Sequence, residues 1–340
     1  MTFERWNSLD IIKAIMVPAM IIVHNTIWWL SYHPSFIAGA METWFLFIRY
    51  ISYLVLLIPA TAGAALFFYL KQHRENSLPS FKKIVLRALI LSAVGFAMNI
   101  AAFGSAAFWQ WNVLQFFSIS MIIIYGLLVF APSWSISVIG AFTLFSAPLW
   151  REIFAAFTDN YVFALLIGEP TNIHLWPLLP WFSVVAMGFA TAQLFHSSHF
   201  NKRSVTFVIT VGSLLTLVSA ISGKLLLEID FNNLWGESIF QPPTLQMIGT
   251  LGIGFLLFGS THYLFKNVVT TPYSLVQCFS CGLFYVYVIH MIFGHRLQQL
   301  VLQYNEAIVF LWLSVIAQVI IAYGIGALVV YLKSIAHKNA

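Results

Sequence analysis

Residues 5–33 read RWNSLDIIKAIMVPAMIIVHNTIWWLSYH, and this stretch decides the fold, because an apolar run long enough to cross a bilayer carries ionisable residues inside it. About 20 apolar residues at 1.5 Å per residue match the roughly 30 Å hydrocarbon core. Asp10 and Lys13 stand at the entrance, Asp10 as a structural residue of the inner mouth, and His24 lies about two thirds of the way through. Lys13 and His24 are eleven residues apart, which on a 3.6-residue helix returns to almost the same face, displaced by roughly 16 Å along the axis. Both side chains therefore look into one groove from opposite ends. An ionisable residue at membrane depth is costly, so a functional site is the first hypothesis for it.

The rest of the composition extends that reading. Of 340 residues 60% are hydrophobic and 8% charged, and the mean hydropathy is +0.88. A water-soluble domain does not tolerate these values, and the expectation is an all-α polytopic membrane bundle. The 12 Trp and 13 Tyr suit interfacial helix ends, while the 32 Phe suit a lipid-facing surface. The net charge of +5 comes mostly from short loops, where cations act as topology signals, and no nucleic-acid partner is implied. Cys278 and Cys281, in CFSC at the start of an apolar segment, lack the polarised surroundings or further ligands that redox or metal chemistry needs, and read as packing residues. The opening segment lacks a basic leader with a small-residue cleavage site, and is expected to be a retained helix.

Apolar windows place ten spans, at residues 11–32, 46–70, 83–103, 112–131, 134–150, 177–196, 205–227, 244–265, 273–294 and 307–333. Arg151 to Glu169 is apolar in parts but carries Glu152, Asp159 and Glu169, and is expected to be an interfacial or re-entrant piece. No linker or low-complexity run interrupts the chain, which reads as one domain over 1–340. No internal repeat is evident, which weighs against a transporter of inverted halves. With the N-terminus cytoplasmic, Lys71, Arg74, Lys82, Lys83, Arg87, Lys202, Arg203, Lys266, Lys333 and Lys338 fall inside. Glu42, Glu152, Asp159, Glu169, Glu228, Asp230 and Glu237 then fall outside, a positive-inside pattern with both termini cytoplasmic.

This topology gathers His24, Asn25, His33, Arg49, Arg151, His174, Gln241, His290, His295 and Arg296 toward the outer half. A neutral imidazole titrating near pH 6.5 takes a proton from a hydroxyl or ammonium group, which makes His24 the leading general base. Its alternative role is interhelical hydrogen bonding. His33, Arg151, His174, Gln241 and His290 are the candidates for holding a substrate, each with an exposed or interfacial polar residue as its other reading. If an α-helix continues through FYVYVIHMIFGHR, His290 and His295 lie about 140° apart and share no face, which argues against a metal pair. Histidines on two membrane helices could bind haem, but His24 lacks an evident partner at matching depth with the right symmetry, and haem is not expected. Arg49 either snorkels, with Glu42 as partner, or turns inward as a fixed cation. No glycine-rich phosphate loop, HExxH, GxSxG or paired CxxC framework occurs, and no metal is expected.

Several stretches, in order, resemble one superfamily. RWNSLDIIKAIMVPAMIIVH resembles the first-helix pattern of the transmembrane acyltransferases, which include bacterial sugar O-acetyltransferases and the heparan-alpha-glucosaminide N-acetyltransferase group. In one branch that pattern is Arg, ten residues, His, and here Lys13 and His24 keep the interval. IRYISYLVLLIPATAGAALFFYL at Ile48 to Leu70 resembles the second-helix segment of bacterial relatives of the heparan group. PLLPWFSVVAMGFA at Pro177 to Ala190 resembles their Pro-Trp helix start, QPPTLQMIGTLG at Gln241 to Gly252 their Pro-Pro start, and LFYVYVIH ending at His290 their late aromatic-histidine helix. Lys13 stands where Arg is usual, so a point charge replaces a bidentate fork, and Ala14 replaces the usual Gly. The absence of a large domain before the first helix points to a compact bacterial-type enzyme of the inner (cytoplasmic) membrane.

The resemblance implies transfer of an acetyl group from cytoplasmic acetyl-coenzyme A to an extracytoplasmic carbohydrate or glycoconjugate. Lys13, Lys82, Lys83 and Arg87 become candidates for the coenzyme A phosphates, while lipid-headgroup anchoring is the other reading of the basic loop. The roughly 16 Å between Lys13 and His24 is comparable to an extended pantetheine arm. His24 either deprotonates the acceptor or takes the acyl group itself, and Asn25 or Arg49 stabilises the oxyanion. A carrier or flippase for an amphiphilic sugar or lipid uses the same groove without chemistry. The acceptor, O- against N-acylation, and the presence of a homo-oligomer stay open.

The charge pattern makes one direct prediction. Reporters fused after Lys83 and after Lys202 are cytoplasmic and one after Glu237 is extracytoplasmic. The opposite result at either basic loop overturns the orientation.

Overall fold

The computed structural model describes residues 6–32, 42–74, 81–157, 160–168, 176–196, 202–223, 241–265, 267–268, 271, 273–301 and 308–338. Thirteen α-helices run through them: α1 Asn7–Tyr32, α2 Glu42–Leu56, α3 Ile58–Arg74, α4 Phe81–Phe103, α5 Val113–Phe130, α6 Ser135–Ile153, α7 Tyr161–Ile167, α8 Leu178–Phe195, α9 Lys202–Ile221, α10 Thr244–Phe265, α11 Leu275–Ile289, α12 His295–Val301 and α13 Ile308–Lys338. Short 3-10 turns lie at Ser105–Ala107 and Ala155–Phe157, and His290–Gly294 forms a π-helical turn between α11 and α12. Among the described residues no strand occurs, and nine helices are long and apolar enough to cross a membrane. The chain is an integral membrane helix bundle.

The expected spans differ from these helices in two instructive places. The window at 134–150 is the helix α6 yet is not among the nine, because this 19-residue helix carries Arg151 and Glu152 in its last turn, and any span-length stretch of it includes both. The window at 46–70 is divided between α2 and α3 at Leu57, next to Pro59, which lacks an N–H for a continuous helical ladder and is tolerated in a first turn. Beyond Ile153, the 3-10 turn and the seven-residue α7 are too short to span, α7 being about 10 Å long.

The helices fall into two compact units, Met1–Ile58 with Ser260–Ala340, and Pro59–Gly259. In the first unit α1 packs against α2, α11 and α13. That enclosure explains why α1 is apolar all round: Ile12, Met16, Val17, Met20, Ile21 and Trp29 are fully buried. α11 and α13 approach through glycine. A Cβ on Gly282 would stand 2.8 Å from the Gly326 Cα, and one on Gly326 would run into the Cys278 backbone. Small residues let membrane helices touch at the backbone, where dispersion and packing hold them. Cys278 is buried at this crossing, and it and Cys281 are free thiols.

In the second unit α8 is the enclosed helix, buried continuously from Pro180 to Phe189 and packed on α6. Gly188 meets the Ala60 backbone and Gly63 the Val185 backbone. α4 and α5 are locked by amides: Asn112 caps α5, donates to Asn99 Oδ1 at 2.6 Å and to the Gly95 carbonyl at 3.2 Å, while Asn99 donates to the Gln110 carbonyl at 2.6 Å.

The glycine crossing carries a stability prediction with its own control. Gly326→Ala should lower the stability of the detergent-solubilised protein by about 1–3 kcal/mol through overpacking. Gly324→Ala, where a Cβ meets nothing within 4 Å, should leave it unchanged or raise it slightly. Equal melting temperatures for the two variants would show that the close approach is not needed.

Candidate functional site

The first unit gathers three of the expected site residues. His24, on the buried helix α1, is itself half-buried. Its Nδ1 stands 3.1 Å from Nε2 of His290, and the two rings are nearly coplanar, at 8°, with centroids 5.3 Å apart. Coplanar rings meeting nitrogen to nitrogen are joined edge to edge, as an N–H···N bond requires. His24 therefore has a histidine partner that the sequence did not make evident. The partner is 266 residues away, beyond the reach of any local pattern. Among the described residues Nε2 of His24 has no hydrogen-bond partner.

His290 and His295 are expected to share no face only if an α-helix continues through them, and it does not. An α-helix places residues five apart on different faces, but the π turn His290–Gly294 closes i to i+5 and brings them into line. Both rings then reach Trp28, with centroids 5.3 Å away for His290 and 5.6 Å for His295. Trp28, one turn beyond His24 on α1, also lies 5.5 Å from the His24 ring. Gly294 makes the room. A Cβ there would meet Gln318 Oε1 at 2.8 Å, Trp28 Cζ3 at 3.0 Å and His290 Nδ1 at 3.1 Å.

Behind the histidines stand neutral polar groups, Asn25 and two that the sequence reading missed, Ser314 and Gln318. Asn25 Nδ2 donates to the Ile21 carbonyl at 2.8 Å. Asn25 Oδ1 accepts from Gln318 Nε2 at 2.8 Å and from Ser314 Oγ at 3.0 Å, and Gln318 Nε2 also donates to Ser314 Oγ at 3.0 Å. Gln318 Oε1 lies 2.6 Å from His290 Nδ1. All four of Asn25, His290, Ser314 and Gln318 are buried. The signal was available: Ser314 and Gln318 are four residues apart, on one face of the apolar helix α13.

Toward the start of α1, Ser280 Oγ donates to the carboxylate of buried Asp10, and Trp6 Nε1 donates to His262 Nδ1 at 2.9 Å. Asp10 thus ties α1 to α11. Lys13, one turn further along α1, is half-buried.

The other candidates are placed as follows. Lys82, Lys83 and Arg87 lie exposed in the first turns of α4 in the second unit, Arg87 over the Tyr69 ring at 4.2 Å. Arg151 and Gln241 come together there. Arg151 Nε donates to the Ile167 carbonyl and Nη1 to the Pro242 carbonyl, both at 3.1 Å, and Gln241 Nε2 donates to the Gly168 carbonyl at 2.9 Å. Two neighbouring turns are fastened by these bonds, while Arg151 Nη2 is buried and unpartnered. Arg49 lies on α2, its side chain outside the described residues, and His33 and His174 lie outside them altogether. Among the described residues no group of three or more His, Cys, Asp or Glu is arranged to hold a metal ion.

Residues 5–229 match the model of the family described as heparan-alpha-glucosaminide N-acetyltransferase, catalytic. No curated protein matches the chain.

Proposed function

The chain belongs to the heparan-alpha-glucosaminide N-acetyltransferase family, and from that premise we propose how this membrane acetyltransferase works. It takes the acetyl group from cytoplasmic acetyl-coenzyme A and gives it to an extracytoplasmic carbohydrate or glycoconjugate, with His24 as general base. The observation that carries the assignment is the state of the His24 ring: Nδ1 is engaged by His290, and Nε2, on a half-buried side chain, is uncommitted. A packing histidine uses its nitrogens to join helices, whereas a base keeps one available.

In the proposed step Nε2 removes the proton from the acceptor hydroxyl or amine as its oxygen or nitrogen attacks the thioester carbonyl. The C–S bond breaks, and the proton passes to the departing thiolate to give free coenzyme A. Asn25, turned toward Gln318 and Ser314, serves better as a support than as an oxyanion donor, so we assign the oxyanion to Arg49. His33, His174, Arg151 and Gln241 stay as candidates for the acceptor, Arg151 through its spare Nη2, while His290 is engaged by His24 and Gln318. Two sets of cations are candidates for the coenzyme A phosphates, Lys13 on α1, and Lys82, Lys83 and Arg87 on α4.

His24→Ala should reduce product formation from labelled acetyl-coenzyme A on the order of 10²- to 10⁴-fold, with donor affinity and melting temperature near those of the parent. His24→Gln separates the roles, since an amide keeps hydrogen bonding but cannot exchange a proton near neutral pH. If His24→Gln retains turnover while His33→Ala loses it, the base is His33.

Neutralising Lys13, and separately Lys82 with Lys83, should weaken acetyl-coenzyme A binding for whichever set meets the phosphates. Added salt should weaken binding further for exposed contacts. Unchanged donor affinity in both would return these residues to membrane anchoring.

A further inference from the structure

The carbonyl of Ile21 can only accept, so the Asn25 amide nitrogen must face it, and Asn25 Oδ1 must face the other way. Two donors then converge on that oxygen, Ser314 Oγ and Gln318 Nε2. A flipped Gln318 would set oxygen against oxygen there, so the amide is oriented with Oε1 toward His290. That oxygen also can only accept, which puts a proton on His290 Nδ1. A neutral imidazole carries one N–H, leaving a lone pair on His290 Nε2, the atom that faces His24 Nδ1. The His24 proton is thereby held on Nδ1, and its lone pair is on Nε2, the uncommitted nitrogen.

We propose that Gln318, acting through His290, is the positioning residue that fixes the His24 tautomer and so makes Nε2 the basic atom. The inference rests on the reading of His24 as the base and adds what selects the nitrogen. Gln318 and His290 touch no reacting atom in this scheme. They act as an orienting partner does behind a catalytic imidazole, with neutral groups throughout.

The variants follow from atom positions. In His290→Gln the side-chain amide reaches the place of Nε2 and keeps an acceptor for His24. In His290→Asn it reaches only the place of Nδ1 and leaves His24 Nδ1 without one. Gln318→Met keeps length and bulk and removes the acceptor for His290. The experiment measures the His24 tautomer by nitrogen-15 NMR of histidine-labelled protein in detergent, with the His24 signal identified by its loss in His24→Gln, alongside kcat and KM.

The parent protein and His290→Gln should show His24 protonated on Nδ1. His290→Asn and Gln318→Met should shift the proton toward Nε2 and lower kcat on the order of 10²-fold with little change in KM. A packing role would treat Gln and Asn at 290 alike and leave the tautomer unmoved. A parent His24 protonated on Nε2, or an unchanged tautomer in both His290→Asn and Gln318→Met, overturns the positioning scheme. Full turnover in His24→Gln overturns the proposal through its premise, and an Nδ1-protonated His24 in the parent would then tell that failure apart from a failure of the array.

Discussion

A backbone carbonyl that is already part of a helix sets the orientation of the polar groups around His24 and His290. Ile21 O accepts from Asn25 one turn later on the same helix, and every polar group behind the histidines takes its orientation from that fixed acceptor. An amide side chain offers donor and acceptor at nearly identical positions and has no preference of its own. Placed against a group with a single role, it acquires a direction, and it passes that direction on. Asn25 orients Gln318 across the gap between α1 and α13, and Gln318 orients His290. The fold supplies the other half of the constraint, since α1 is enclosed by α2, α11 and α13 and the array is shut away from water that would offer competing partners.

The π turn is the second condition. Continued as an α-helix, α11 would carry His290 and His295 to different faces, and Trp28 would meet at most one of them. The wider turn sets both against Trp28 and opens a place where α13 can bring Gln318 to the imidazole. Such turns recur at functional positions because the extra residue re-aims side chains without ending the helix. Glycine at 294 is what lets the turn lie against Gln318, Trp28 and His290 at once. Further along, the Gly282–Gly326 crossing holds α11 to α13 at backbone distance, so the two helices that bear His290 and Gln318 are joined by packing as well as by the hydrogen bond.

The membrane helices were legible because hydrophobic length is a local property, and so was His24, since an ionisable residue stands out in an apolar run. Its partnership with His290 was not legible. The two residues are 266 positions apart, and extrapolating a 3.6-residue period through a π turn gives the wrong face. Gln318 and Ser314 were overlooked for a different reason: they carry no charge, and attention to ionisable groups passes over neutral amides and hydroxyls that cost less to bury. α6 has the apolar content of a span, but Arg151 and Glu152 in its last turn leave it outside the apolar helices. The bonds of Arg151 and Gln241 to the carbonyls of Ile167, Pro242 and Gly168 depend on loop geometry that no periodicity encodes.

Neutral groups behind the histidine suit a membrane interior better than a carboxylate does. In water-soluble hydrolases an aspartate commonly holds the catalytic imidazole, and its charge also stabilises the imidazolium that forms. Inside a bilayer the same aspartate would have to be buried as an unpaired anion, at a cost that its attraction to a transient cation does not recover in the resting enzyme. An amide orients the ring without that cost. What it gives up is stabilisation of the protonated histidine, so a base built this way works best when its proton is handed on quickly. Acetyl transfer from a thioester meets that condition, because the departing thiolate is itself a proton acceptor formed in the same step.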